Sequence, residues 1–325
     1  MRPQVFLMLT ALALAPALGA QTCQVREEMP AAERSALESA AQQAFEQSSR
    51  GDIVALQAGA IASLRSNFNG IATAVTDRRP AFTGAIAQVR SAFLLNTGAT
   101  PSVDGHYICG AFSASGPTAG SAEFNLPGLQ AGRYGIVIHD FNGSQGNFAL
   151  TTIFQDASGW KLAGLYVRAE TANGHDGIWH LQRAREFKSK GQLHNAWFYY
   201  VTAWELLAPV TFIDTRLLSK ITQESNAIQP KDVPAAGAAV TFNAGGKAYK
   251  LTEMTVFSTS GTYDLSIRYS VASAADLSAS QAEARSLGAA YVALHPELKE
   301  TFANIVVHAV DAAGGDAVGV VDLQQ

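Results

Sequence analysis

"GHDGIWHLQRAREFKSKGQLHNAWFYYVTAWELLAP", residues 174–209, holds three of the chain's seven histidines and three of its four tryptophans. It reads either as a metal site or as two packed helices. A metal site needs imidazoles or carboxylates converging on one point. His175, Asp176, His180 and His194 supply the atoms, but no histidine pair stands at i, i+4, and His194 lies beyond the breaker Gly191. The packing reading accounts for more residues. With a turn at Gly191, the second helix carries Ala196, Trp197, Tyr200, Ala203, Trp204 and Leu207 as one apolar stripe. The tryptophans are then expected at the helix crossing. No metal is expected, and those four residues are the candidate ligands if one binds.

The order Ala184, Phe187, Gly191, Ala196, Tyr200, Ala203, Pro209 resembles a tetratricopeptide repeat, with His180 where Trp is usual and Pro209 one place late. Such a repeat puts small residues where its two helices cross and aromatics where they interlock. Only one copy is visible, spanning 174–228, so the resemblance implies a hairpin that packs on a neighbouring domain. Its first helix carries Ile178, Leu181, Arg185 and Lys188 at helical spacing. That stripe either receives an amphipathic or acidic segment or docks internally.

Upstream, Pro30 suits a first helical turn, Ser35 and Glu38 stand at capping-box spacing, and no breaker occurs before Gly51. Asp52 can cap a second helix, in which Ile53, Leu56, Ala60, Ile61 and Leu64 keep helical spacing. Residues 84–96, "GAIAQVRSAFLLN", are expected to be helical. From His106 to Arg168 the chain breaks into short β-branched and aromatic runs, with "FNGSQGN" and "DASG" as hairpin signals. Helices followed by antiparallel strands that close on "SGWKLAGLYVR" resemble an NTF2-like (cystatin-like) domain over 30–172. The resemblance implies a curved sheet with a pocket between sheet and helices. That fold carries enzymes and binding modules alike. Within it, His139 and Asp140 are adjacent on an expected strand, so they point to opposite faces. Either one is a candidate general base; the alternative is an edge or turn residue.

After a linker at 229–237, within "NAIQPKDVPAAGAA", residues 238–325 read as a small α+β domain. "NAGGK" is expected to turn a hairpin, and Tyr263, Leu265, Ile267 and Tyr269 share one strand face. Ser280 and Glu283 have capping-box spacing for a helix that Pro296 stops, and "ANIVVHAVDA" is the strand after it. Arg268, His295 and His308 are expected at solvent or sheet edges.

Residues 1–20 have Arg2, an apolar run from Val5 to Leu14, Pro16, and small residues up to Ala20. This is the pattern of a secretory signal cut after Gly19 or Ala20, and it implies a periplasmic or secreted protein. The chain has 23 basic and 27 acidic residues and no basic stripe, which argues against a nucleic-acid partner. No later run reaches membrane-spanning length. Cys23 and Cys109 are either one disulfide or two free thiols. No GxSxG elbow, phosphate-binding loop, zinc-protease helix or dinucleotide fingerprint occurs.

The reading is therefore an α+β protein exported to the periplasm or cell envelope. It serves as a soluble binding or scaffold protein for a protein or small-molecule ligand, with no cofactor expected. The alternative is a secreted pocket enzyme of hydrolase or isomerase type, with His139 or Asp140 as base.

Overall fold

The computed structural model describes residues 21–324 except 99, 100, 102, 103, 114, 115, 118, 119, 236 and 260. The expected leader, residues 1–20, lies outside the described residues. The chain is an α+β protein.

The described residues open with β1 (Thr22–Val25) and a 3-10 turn at Arg26–Glu28, followed by α1 (Ala31–Arg50). Leu37, Ala41, Ala44, Phe45 and Ser48 repeat at helical spacing and are the residues α1 buries. The helix starts before the expected capping box. Pro30 is its N-cap, and Glu38 instead takes a 2.7 Å hydrogen bond from Arg26 Nε. Asp52 does cap α2 (Ile53–Ala58), accepting from the Ala55 amide at 3.0 Å. The second helix does not run on to Leu64. Gly59 and Ile61 hydrogen-bond to the backbone of Leu162, so the chain leaves the helix to bridge a sheet edge before α3 (Ala62–Arg65). Then come α4 (Asn69–Asp77) and α5 (Arg79–Phe82).

Residues 87–96 form a strand, β2 (Ala87–Asn96), and the expected helix over 84–96 is corrected. Ala92 and Leu94 join the core beneath the helices, whereas Phe93 and Leu95 join a core on the opposite face. A strand buried on both faces shows a continuous apolar run, which local spacing cannot distinguish from a buried helix. Pairing with a partner more distant in sequence decides it: Ala92 opposes Val137.

Next are β3 (His106–Cys109), the short pair β4 (Phe112–Ser113) and β5 (Gly116–Pro117), and β6 (Ala122–Asn125). Three long strands follow, β7 (Arg133–Gly143), β8 (Gly146–Asp156) and β9 (Trp160–Ala169). The main sheet has order β1-β2-β7-β8-β9, all antiparallel, with register shifts at Val89/Ser91 and Ile153/Phe154. Such bulges bend a sheet. Between sheet and helices Phe45, Phe82, Phe141 and Phe148 pack ring on ring, and a trough of about 600 Å³ stays open along α1 beside Val89 and His139. Against the other face lies a small sheet of order β12-β6-β3, where β12 is Ile213–Asp214. Cys23 of the main sheet and Cys109 of the small one form a disulfide, with Cα atoms 4.7 Å apart.

The pair β10 (Thr171–Ala172) and β11 (His175–Asp176) leads into α6 (Gly177–Ser189) and α7 (Leu193–Leu207). They turn at Gly191, whose φ of 76° is left-handed. Ala184, Ala196 and Ala203 are fully buried beside Phe187 and Tyr200. Trp179 and Trp204 pack on this hairpin core, as expected, whereas Trp197 packs on the core of the last segment. Trp179, Trp197 and Trp204 are half-buried around α7 and pack on three different cores. Because α7 is enclosed on several sides, its large rings sit at the rims between cores rather than on one stripe. A third helix, α8 (Arg216–Asn226), joins the hairpin and is capped by Thr215.

The last segment is β13 (Val240–Ala244), β14 (Lys247–Thr259), β15 (Thr262–Ser270), α9 (Leu277–Leu294), a 3-10 turn at Pro296–Glu300, β16 (Asn304–Val310) and β17 (Asp316–Asp322). The strands form one sheet in chain order, and only β15 and β16 pair in parallel, across the α9 crossover. "NAGGK" turns the β13–β14 hairpin. Asp276, not Ser280, caps α9, with its carboxylate 3.0 Å from the Ala279 amide, while Glu283 pairs with Lys247. Helix and sheet touch closely: a Cβ at Gly319 would lie 2.6 Å from the Arg285 amide nitrogen. Phe198 of α7 enters this core. Among the described residues no helix is long and apolar enough to cross a membrane.

Candidate functional site

A cleft of about 530 Å³ opens where the main sheet, the small sheet and the start of α8 meet. That volume is in the range of small-molecule sites. Phe93 of β2 and Ile138 of β7 point into it because both face away from α1. Leu207 at the end of α7, Ile213 of β12 and the part-exposed Leu217 of α8 extend the apolar wall. Hydroxyls come from Ser91, Ser121 and Thr215.

Three cations line this cleft: Arg90, Arg216 and Lys220. Arg90 is already satisfied, since its guanidinium pairs with both Asp140 and Glu170. Burial disfavours its charge, yet these two carboxylates outweigh that and raise its pKa. Burial likewise pushes the Glu170 carboxyl up, with Arg90 opposing. Among the described residues neither Arg216 nor Lys220 forms a close ion pair, although the charge of Lys220 acts on Glu224 one turn further along α8. Both stand in the first turns of α8, where unpaired backbone amides add positive potential. The cleft thus combines an apolar wall with a cationic end.

His139 and Asp140 do lie on opposite faces. His139 has no exposed surface, and neither ring nitrogen has a hydrogen-bond partner. It borders an open, polar trough along α1 and sits beside the Phe45 ring. Burial pulls its pKa down to about 4, against the opposing pull of Glu38 and Asp140. Asp140 belongs to the Arg90 ion pair.

The four candidate metal ligands of the hairpin are dispersed. His175 stacks on Trp179 with ring centroids 3.8 Å apart, and Asp176 caps α6 through the Trp179 amide at 2.8 Å. His180 is buried, with Nδ1 2.7 Å from the Asp176 carbonyl and Nε2 2.5 Å from the Tyr263 hydroxyl. Burial lowers its pKa. Only His194 meets further donors, and they come from outside the stretch: Asp232, His295 and Glu297. His295, expected at a solvent edge, is in this cluster. Arg268 and His308 instead gather around Asp316 at 3.3 and 3.1 Å. The only local signal for the cluster was a His-Pro-Glu run at the end of α9.

The stripe Ile178, Leu181, Arg185, Lys188 does not form one open face. Leu181 is buried in the hairpin core, and Arg185 is held by Glu224 of α8. Ile178 and Lys188 are exposed.

Comparison with protein-family models, with curated proteins and with solved structures finds no match to this chain.

Proposed function

We propose that this is an exported binding protein whose cleft takes a small amphipathic anion, a molecule with an apolar tail and a carboxylate or similar head. The observation that carries the reading is that Phe93, Ile138, Leu207 and Leu217 line one cavity with the cations Arg216 and Lys220. The apolar wall favours a tail by removing it from water. The two cations favour an anionic head and disfavour a cationic one. Export is supported by the order of residues 1–20 and by the Cys23–Cys109 bond, which persists in oxidising compartments. The NTF2-like resemblance remains part of this reading, supported by helices followed by a bulged antiparallel sheet. So does the repeat-like hairpin, with its alanines at the crossing.

The enzyme reading has less support. A general base has to reach the proton it removes. His139 exposes no surface, and Asp140 is committed to Arg90. The test is a titration with 1-anilinonaphthalene-8-sulfonate, itself an apolar ring system with an anionic head. Its fluorescence should rise with the folded protein and fall back when dodecanoate competes. No competition would count against the proposal.

A further inference from the structure

His194, His295 and Glu297 come from two distant parts of the chain: the first turn of α7, the C-cap of α9 and the 3-10 turn after it. One donor atom from each lies within 4.8 Å of the other two. The imidazole rings are 3.8 Å apart, centroid to centroid. Asp232, in the segment between α8 and β13, joins them from a third place. Its carboxylate accepts from His194 Nε2 at 3.0 Å and from His295 Nε2 at 2.8 Å.

This arrangement has an orienting logic. A carboxylate that accepts from Nε2–H fixes the ring in that tautomer and leaves the Nδ1 lone pair free for another partner. For His194, what faces Nδ1 is Glu297 Oε1, 3.4 Å away. A lone pair and a carboxylate oxygen are both electron-pair donors, and at this separation one cation can be held by both.

We propose that His194, His295 and Glu297 bind a divalent cation of the zinc type, with Asp232 as the carboxylate that orients both rings. Two imidazoles with a carboxylate suit zinc, whereas magnesium and calcium take oxygen donors. Zinc takes four donors, so the fourth place falls to water. The ion would tie the start of α7 to the end of α9, with Asp232 bonded to both rings. Asn195 and Gln192 already reach the same turn, through hydrogen bonds to Glu297 and Glu300 at 2.7 and 2.8 Å.

The test uses the untagged full chain, stripped with chelator and titrated with zinc chloride alone. We expect about one tightly held zinc per chain. His194→Gln and His295→Gln should each abolish it, and Asp232→Asn should weaken it by about 10- to 100-fold. His175→Gln and His308→Gln should leave it unchanged. Because a variant could unfold, zinc K-edge absorption of the loaded wild-type protein is the second readout. A shell of two imidazoles with carboxylate oxygen supports the proposal. No zinc uptake by the wild type, uptake unchanged in a folded His194→Gln protein, or a shell without two imidazoles would overturn it.

Discussion

Arg185 and Glu224 meet through two parallel hydrogen bonds of 2.8 Å each, and this fork fastens α6 to α8. Glu224 also accepts from the Tyr200 hydroxyl at 2.9 Å, so all three helices of the central unit converge on one carboxylate.

Reversing the charge at this fork should therefore lower stability. Arg185→Glu places two carboxylates together and removes a bidentate partner, at a cost of about 1–2 kcal/mol. The melting temperature should fall by roughly 2–6 °C, which differential scanning calorimetry reads directly. Lys188→Glu, on the open surface, should change it by less than about 1 °C. An unchanged melting temperature in Arg185→Glu would mean that the fork contributes nothing.

His139 sets a pH dependence whose sign follows from its burial. Its pKa falls from 6.5 to about 4 on folding. Between those values the unfolded chain binds the proton and the folded one does not, so stability rises with pH. The contribution is complete above about pH 6.5 and is lost as pH falls towards 4, at most about 3 kcal/mol. Urea unfolding of wild type and His139→Leu across this window should show a shallower slope in the variant. Equal slopes would mean that His139 is hydrated.

The Cys23–Cys109 bond clamps the small sheet on the large one and closes a loop across 86 residues. In the chain-entropy account a loop of that length is worth about 4–5 kcal/mol, and measured losses are about 2–5. Cys23→Ala with Cys109→Ala should lower the urea midpoint accordingly. The unreduced wild type should show no thiol that reacts with iodoacetamide.

What the sequence made legible follows the range of the interactions. The β7–β8 hairpin, the Gly191 turn, the Asp52 cap and the inward face of β15 rest on neighbours in sequence, and all were readable. Strand β2 was not, because Phe93 and Leu95 face one core while Ala92 and Leu94 face another. β17 was missed, and α9 starts after Asp276, whose carboxylate accepts from the Ala279 amide. The candidate sites were less readable still. The cleft joins β2, β7, α7 and α8, and the histidine cluster needs His194, Asp232 and His295 from three segments. No local spacing encodes such convergence.

Isothermal titration calorimetry with dodecanoate, dodecan-1-ol and dodecylammonium reads whether the cleft selects an apolar tail with an anionic head. Dodecanoate should bind at about one molecule per chain, dodecan-1-ol more weakly, and dodecylammonium weakest. Arg216→Glu with Lys220→Glu should weaken dodecanoate by about tenfold or more, equivalent to about 1.4 kcal/mol, and reverse the preference for its head group. Leu217→Glu, at an exposed position on the wall, should weaken the acid and the alcohol alike. Absence of dodecanoate binding to the wild type, or an affinity unmoved by reversing both cations, would contradict the account.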